Sequence, residues 1–195
     1  MDFRREIYRR VLSVDPTTRG FGYAVLEGPT FLVDWGTRDL GRADSPRALA
    51  HVAQLADHYR PEVVVVEDAS HAGARRRGRA QKLIDAIAEL AAKRGIDVAR
   101  IPRVHVHRLF EDTDRATKRQ IAQTIAGHFL ELAPRLPPVR KAWMSEDPHM
   151  SIFDAVAFAL AFYFQAEPLG PGDRSQQLRQ LQSHDSSQDS HGARP

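Results

Sequence analysis

Val11-Leu12-Ser13-Val14-Asp15-Pro16-Thr17-Thr18-Arg19-Gly20-Phe21-Gly22-Tyr23-Ala24-Val25 is the stretch that decides how this chain folds. An apolar run ends on a carboxylate, turns through proline, two threonines and an arginine, and resumes as a second apolar run. The first run reads as a buried strand. Gly20 and Gly22 let the return strand begin close against it, because glycine accepts backbone geometry that other residues resist. Asp15 then stands at the end of a central strand, where open sheets place their chemistry.

Working outward, Gly28-Pro29 is a turn, and Phe31, Val33 and Trp35 alternate with Thr30, Leu32 and Asp34 as a third strand. Three strands on short turns form an antiparallel meander. Ser45-Pro46 pairs an N-cap with a first-turn proline, and Leu49, Val52, Ala53 and Ala56 recur at helical spacing through Tyr59. Pro61 ends that helix. The four valines 63–66 are β-branched on both faces, which describes a strand covered on both sides, and it stops on Glu67-Asp68. A glycine- and arginine-rich loop follows over residues 72–79. The next helix carries Leu83, Ile84, Ile87, Leu90 and Ala91 and stops at Gly95. Residues 97–106 read as a further strand, interrupted by Pro102. Asp112 or Thr113 caps a third long helix with Ile121, Ile125, Phe129 and Leu132 on its apolar side. After a proline-rich break at 133–141, the last helix opens at Asp147-Pro148 and runs through Phe164.

The expected fold class is therefore α/β: a five-stranded mixed sheet, three antiparallel strands then parallel strands, with helices on both faces. Helical crossovers after the third and fourth strands require the parallel pairing. A doubly wound nucleotide fold is excluded, since it starts βαβ with a glycine-rich turn into a helix. One domain is expected over residues 1–166, and the polar stretch 167–195 reads as a disordered tail. The 195 residues include 28 Lys and Arg, 25 Asp and Glu, and no cysteine, for a net charge of +3. Disulfides and thiolate metal sites are excluded, so a metal here would take oxygen or nitrogen ligands. With no signal-peptide core and no bilayer-length apolar run, the expected setting is the cytoplasm, away from membranes.

Three carboxylates converge on this plan. Asp15 ends the first strand, Glu67 ends the valine strand beside it, and Asp154 lies in the last helix on a face shared with Ala157, Phe158 and Ala161. A buried carboxylate needs a compensating charge or strong hydrogen bonds, and three in one cleft repel unless a hard cation neutralises them. Mg²⁺ or Mn²⁺ suits such an all-oxygen site. A plainer account makes Asp15 a turn former, Glu67 a solvated strand end, and Asp154 the partner of some arginine. Arg75, Arg76, Arg77, Arg79 and Lys82 follow Glu67 in the glycine-flexed loop and the helix after it, with Lys118 and Arg119 extending the track. A basic run is usually a solvated surface, but beside an acidic cleft it suits phosphate-backbone binding, to which arginine gives sequence-independent affinity.

The quoted residues resemble a known family. Val14 to Tyr23 looks like the opening of RuvC-family Holliday-junction resolvases, within the ribonuclease H-like superfamily. Pro61 to Glu67 is similar to its second acidic strand, Thr117-Lys118-Arg119-Gln120-Ile121 to its lysine-bearing helix start, and Asp154 to Ala159 to its last acidic helix. The resemblance implies a two-metal endonuclease in which Asp15, Glu67 and Asp154 hold Mg²⁺ and Lys118 steadies the phosphate. It also implies a homodimer that cuts four-way DNA junctions, with the helix beginning at Gln81 as its candidate interface. The same stripe of that helix is equally explained by packing on the sheet. The family's fourth ligand position, one turn before the last aspartate, holds Ser151, for which His149 is the expected substitute. Two rivals remain: a catalytically weak or inactive nucleic-acid-binding protein on the same fold, and an RNA-processing nuclease. A sugar-kinase-type phosphotransferase would need two such domains, and this chain holds one.

Overall fold

Turn lengths set the pairing, and the pairing sets which residues share a face. The computed structural model describes residues 8–41, 45–69, 78–110, 116–139 and 147–166. Its strands are β1 (Arg10–Pro16), β2 (Gly20–Glu27), β3 (Leu32–Asp39), β4 (Val63–Glu67) and β5 (Asp97–Ile101). Its helices are α1 (Ser45–Tyr59), α2 (Arg79–Lys93), α3 (Arg103–Phe110), α4 (Lys118–His128) and α5 (Met150–Ala166), with a 3₁₀ turn over Leu130–Arg135. The sheet order is β3-β2-β1-β4-β5. β1, β2 and β3 pair antiparallel, while β4 joins β1 and β5 joins β4 in parallel. This is the mixed sheet the sequence predicts.

Alternation along the strands divides the core in two. Val11, Ala24, Leu26, Val63 and Val65 face α3, α4 and α5, whereas Leu12, Val14, Phe21, Tyr23, Val25, Val64 and Val66 face α1 and α2. The same parity carries Asp15 and Glu67 to the α5 side. They stand one residue past Val14 and Val66, the last paired residues of the parallel β1–β4 ladder. Helix α5 is buried from Ser151 through Ala161, so it lies across the sheet as a central element and not as a surface helix. Among the described residues no helix is long and apolar enough to cross a membrane.

Several boundaries differ from expectation, each for a local reason. β5 ends at Ile101, and residues 103–110 are helix α3 instead of more strand. Pro102 has no N–H for the ladder, and Val106 and Leu109 are buried at the i, i+3 spacing of a helix. Helix α4 is capped by Thr117, whose hydroxyl accepts from the Gln120 N–H while the Gln120 side chain accepts from the Thr117 N–H. Asp112 and Thr113 lie outside the described residues, as does 167–195. Past His128 the chain tightens into the 3₁₀ turn that contains Pro134, and Phe129 and Leu132 remain buried beyond the helix proper. β3 starts at Leu32, leaving Phe31 exposed at the sheet edge. Helix α5 begins at Met150, one turn after Asp147-Pro148. T117A should lower stability by about 1 kcal/mol, read from urea denaturation, because it strips the reciprocal cap from α4.

Gly20 and Gly22 also take a different physical reason. Neither is among the glycines with positive φ. What they require is the absence of a side chain. A Cβ on Gly20 would overlap the carbonyl of Arg38 on β3, and one on Gly22 would overlap the backbone and hydroxyl of Ser151 on α5. The apolar stripe of α2 is likewise accounted for within the chain: Leu83, Ile84, Ile87 and Ala91 pack against β1, β4 and α1.

Candidate active site

Asp15, Glu67 and Asp154 come together from β1, β4 and α5, with side chains only 2%, 2% and 9% exposed. What holds them is a guanidinium. Arg103, the first residue of α3, places Nε 3.0 Å from Glu67 Oε1 and Nη2 3.3 Å from Glu67 Oε2, a two-point contact. Its Nη1 lies 3.1 Å from Asp154 Oδ1, and Nη2 lies 4.0 Å from Asp15 Oδ1. Below the guanidinium is the ring of Phe158, 5.1 Å from its carbon to the ring centre, one helical turn beyond Asp154. Lys118, the first residue of α4, reaches the other Asp154 oxygen at 2.9 Å.

These charges set one another's protonation. Burial alone would raise the Asp154 carboxyl, but Arg103 and then Lys118 outweigh it and hold it below its ordinary value. Burial alone would lower the Arg103 guanidinium. Asp154, the hydrogen-bonding Glu67 and Asp15 outweigh it and raise the group further. Asp154 and Arg103 thus stabilise each other in the charged form.

Whether these residues suit a divalent cation has two answers. The donor chemistry fits, since three buried carboxylates form an oxygen-only set. In the arrangement present their oxygens are taken by Arg103, and among the described residues no three His, Asp or Glu side chains are drawn together around one point. A guanidinium spreads its carboxylates around its rim, whereas a metal ion draws them to a point.

The other expected site residues are placed as follows. His149 is turned to Asp147, whose Oδ1 lies 2.9 Å from His149 Nδ1 and accepts the His149 N–H at 2.8 Å. Ser151 is buried against Gly22 and donates its hydroxyl to the Pro148 carbonyl at 2.6 Å. Arg119 donates to the Pro137 carbonyl at 2.5 Å, in the segment that follows the 3₁₀ turn. Arg79 and Lys82 are exposed at the start of α2, while Arg75, Arg76 and Arg77 lie outside the described residues. The residue the sequence reading missed is Arg103. It was legible in one respect: three buried carboxylates demand a counter-charge, and Arg103 follows Pro102 directly beyond Ile101, the β5 partner of Glu67.

No family model matches the chain. The chain is 28% identical over 172 residues to the crossover junction endodeoxyribonuclease RuvC of Akkermansia muciniphila, covering 82% of this chain and 93% of that one. It is a relative of the RuvC-family resolvases. Solved structures show the same fold. Thermus thermophilus RuvC in complex with a Holliday junction superposes with a TM-score of 0.58 at 20% identity, covering 82% of this chain and 95% of that one. The yeast mitochondrial Holliday junction resolvase superposes at 0.53 with 14% identity, covering 91% and 84%. These neighbours confirm the ribonuclease H-like architecture that the resemblance implies.

Proposed function

We propose that this RuvC relative is a divalent-cation-dependent endonuclease that hydrolyses phosphodiester bonds of branched DNA, with the four-way junction as its substrate and a homodimer as its working form. The observation that carries the reading is the convergence of Asp15, Glu67 and Asp154 from three separate elements at one end of the sheet, with Lys118 in contact. The junction enters by likeness to the A. muciniphila enzyme, whose name states that activity.

Asp15, Glu67 and Asp154 would hold Mg²⁺ or Mn²⁺. A cation held there would supply Lewis-acid chemistry, lowering the pKa of a water and stabilising charge on a leaving oxygen. The chain's own part is positioning and electrostatics. Helix α5 presents Asp154 from an apolar surround, where ionic interactions are strong. Lys118, whose side chain is 38% exposed, stands between that buried carboxylate and solvent, where an ammonium can also meet a phosphate oxygen. Arg79 and Lys82 lie downstream of β4 on the basic segment that would track the backbone.

A second reading, a junction-binding protein with little or no cleavage, draws on Ser151, whose hydroxyl is committed to Pro148 where the family places a ligand. One experiment separates the two. Labelled four-way junction, linear duplex and RNA hairpin are incubated with purified protein in EDTA, Mg²⁺ or Mn²⁺. The nuclease reading expects nicking of the junction only with a divalent cation. Equal junction binding in EDTA and Mn²⁺ with no nicking would establish the binding protein, and preferential hairpin cutting would move the substrate to RNA.

A further inference from the structure

The acidic cluster already contains a cation, and that cation belongs to the chain. We infer that the Arg103 guanidinium is a resident occupant of the divalent-cation position, and that it must let go of Glu67 and Asp154 for a divalent ion to enter. The inference rests on the proposed cation site and adds how that site is filled when no ion is present.

The geometry carries it in three steps. Both Glu67 oxygens and one Asp154 oxygen, the donors an ion would need, are engaged by one planar group. That group is seated on Phe158, so it is a built feature of the cleft and not a passing surface contact. Its side chain is nonetheless 25% exposed, and α3 begins right at Arg103, so rotation about the side-chain bonds opens a path to solvent without moving the sheet.

The physical logic is a division of labour between two states. Without an ion, three carboxylates buried between sheet and helix would repel, and the guanidinium, with Lys118 on Asp154, offsets much of that repulsion. With an ion, a small hard dication attracts carboxylate oxygens more strongly than a delocalised monocation and draws them to one point. Apparent ion affinity is then the intrinsic affinity reduced by the small fraction of time that Arg103 is swung out. A tight gathering of three ligands, not found among the described residues, should appear only once the guanidinium has left.

The test reads ion binding, not cleavage. Mn²⁺ is titrated by calorimetry into the full chain, into R103Q, and into R103K, which keeps the charge but cannot span three carboxylates. R103Q should bind Mn²⁺ tenfold tighter or more. In EDTA its melting temperature should fall by on the order of 10 °C, and Mn²⁺ should restore most of the loss. R103K should fall between R103Q and the parent in affinity. Equal or weaker Mn²⁺ binding by R103Q would overturn the inference, as would a parent chain that binds no Mn²⁺. A second measurement needs no substitution in the sample observed. In ¹⁵N-labelled parent protein, the Arg103 Nε–H resonance, identified by its loss in R103K, should shift and exchange faster as Mg²⁺ is added. A resonance unmoved after calorimetric saturation would overturn the inference. Failure of the nuclease reading is a separate result: tighter ion binding by R103Q with no nicking by the parent retains the exchange and removes the enzyme.

Discussion

Asp15→Asn and Glu67→Gln should each lower Mn²⁺-supported junction cleavage by at least about a thousandfold, on the scale seen when one member of a cooperating catalytic set is lost. Each substitution nearly preserves shape and removes one carboxylate from the proposed cation site. Junction binding in EDTA should persist or tighten, since one fewer carboxylate then faces the phosphates. The two variants should differ in stability. Glu67 accepts two bonds from Arg103 at 3.0 and 3.3 Å, while Asp15 stands 4.0 Å from the same group. E67Q therefore unseats the guanidinium from its main partner and should cost more in urea denaturation than D15N. Measuring cleavage, junction binding and unfolding on both proteins checks all three statements. Parental cleavage rates in both variants would remove these carboxylates from the chemistry.

Gly22→Ala should be damaging through both stability and geometry. Gly22 pairs with Asp15 across the β1–β2 ladder, and Ser151 lies against it one helical turn before Asp154. An added Cβ would meet the Ser151 backbone at a separation real Cβ atoms do not reach, and backbone cannot rotate away. The remaining relief is to lever α5 off β2. Overpacking of this kind costs typically about 1–3 kcal/mol and sometimes more. Moving Asp154 relative to Asp15 and Glu67 by even about 1 Å should cost cleavage on the order of a hundredfold. Gly127 supplies the control, because nothing lies within 4 Å of the position its Cβ would take on α4. G127A should raise stability by roughly 0.5–1 kcal/mol and leave cleavage intact. Thermal melting and a junction-cleavage time course on the two variants check the contrast. A G22A protein with parental melting and cleavage would show that α5 does not sit on β2 as closely as described.

The glycine result shows what a local reading can and cannot reach. Gly20 and Gly22 stand out in the sequence, where they are expected to let β2 start close against β1, yet the close approaches they admit come from β3 and α5. The identity of the approaching group depends on elements 18 and 129 positions away in chain number, Arg38 and Ser151 being distant from their glycines. Arg103 is the same case with charge in place of volume. One carboxylate's partner cannot be named from its neighbours along the chain when the pairing spans from β4 to α3 and α5. Residues 97–106 were misread as a single strand because valine and isoleucine serve a buried strand or a buried helix face equally well. Only packing of Val106 and Leu109 against the α5 side of the core selects the helix.

By itself the sequence determined the mixed sheet, its order of antiparallel then parallel strands, and the three carboxylates that meet at one end of it. Those follow from period-two alternation, turn residues and crossover handedness, which act over short stretches and add up along the chain. The tertiary structure alone decided that the carboxylates close on Arg103, that His149 turns to Asp147, and that Gly22 exists to admit Ser151. Such outcomes depend on which distant groups meet when α5 docks across the sheet, and contacts between distant groups are selected by the packed whole and not by any segment within it.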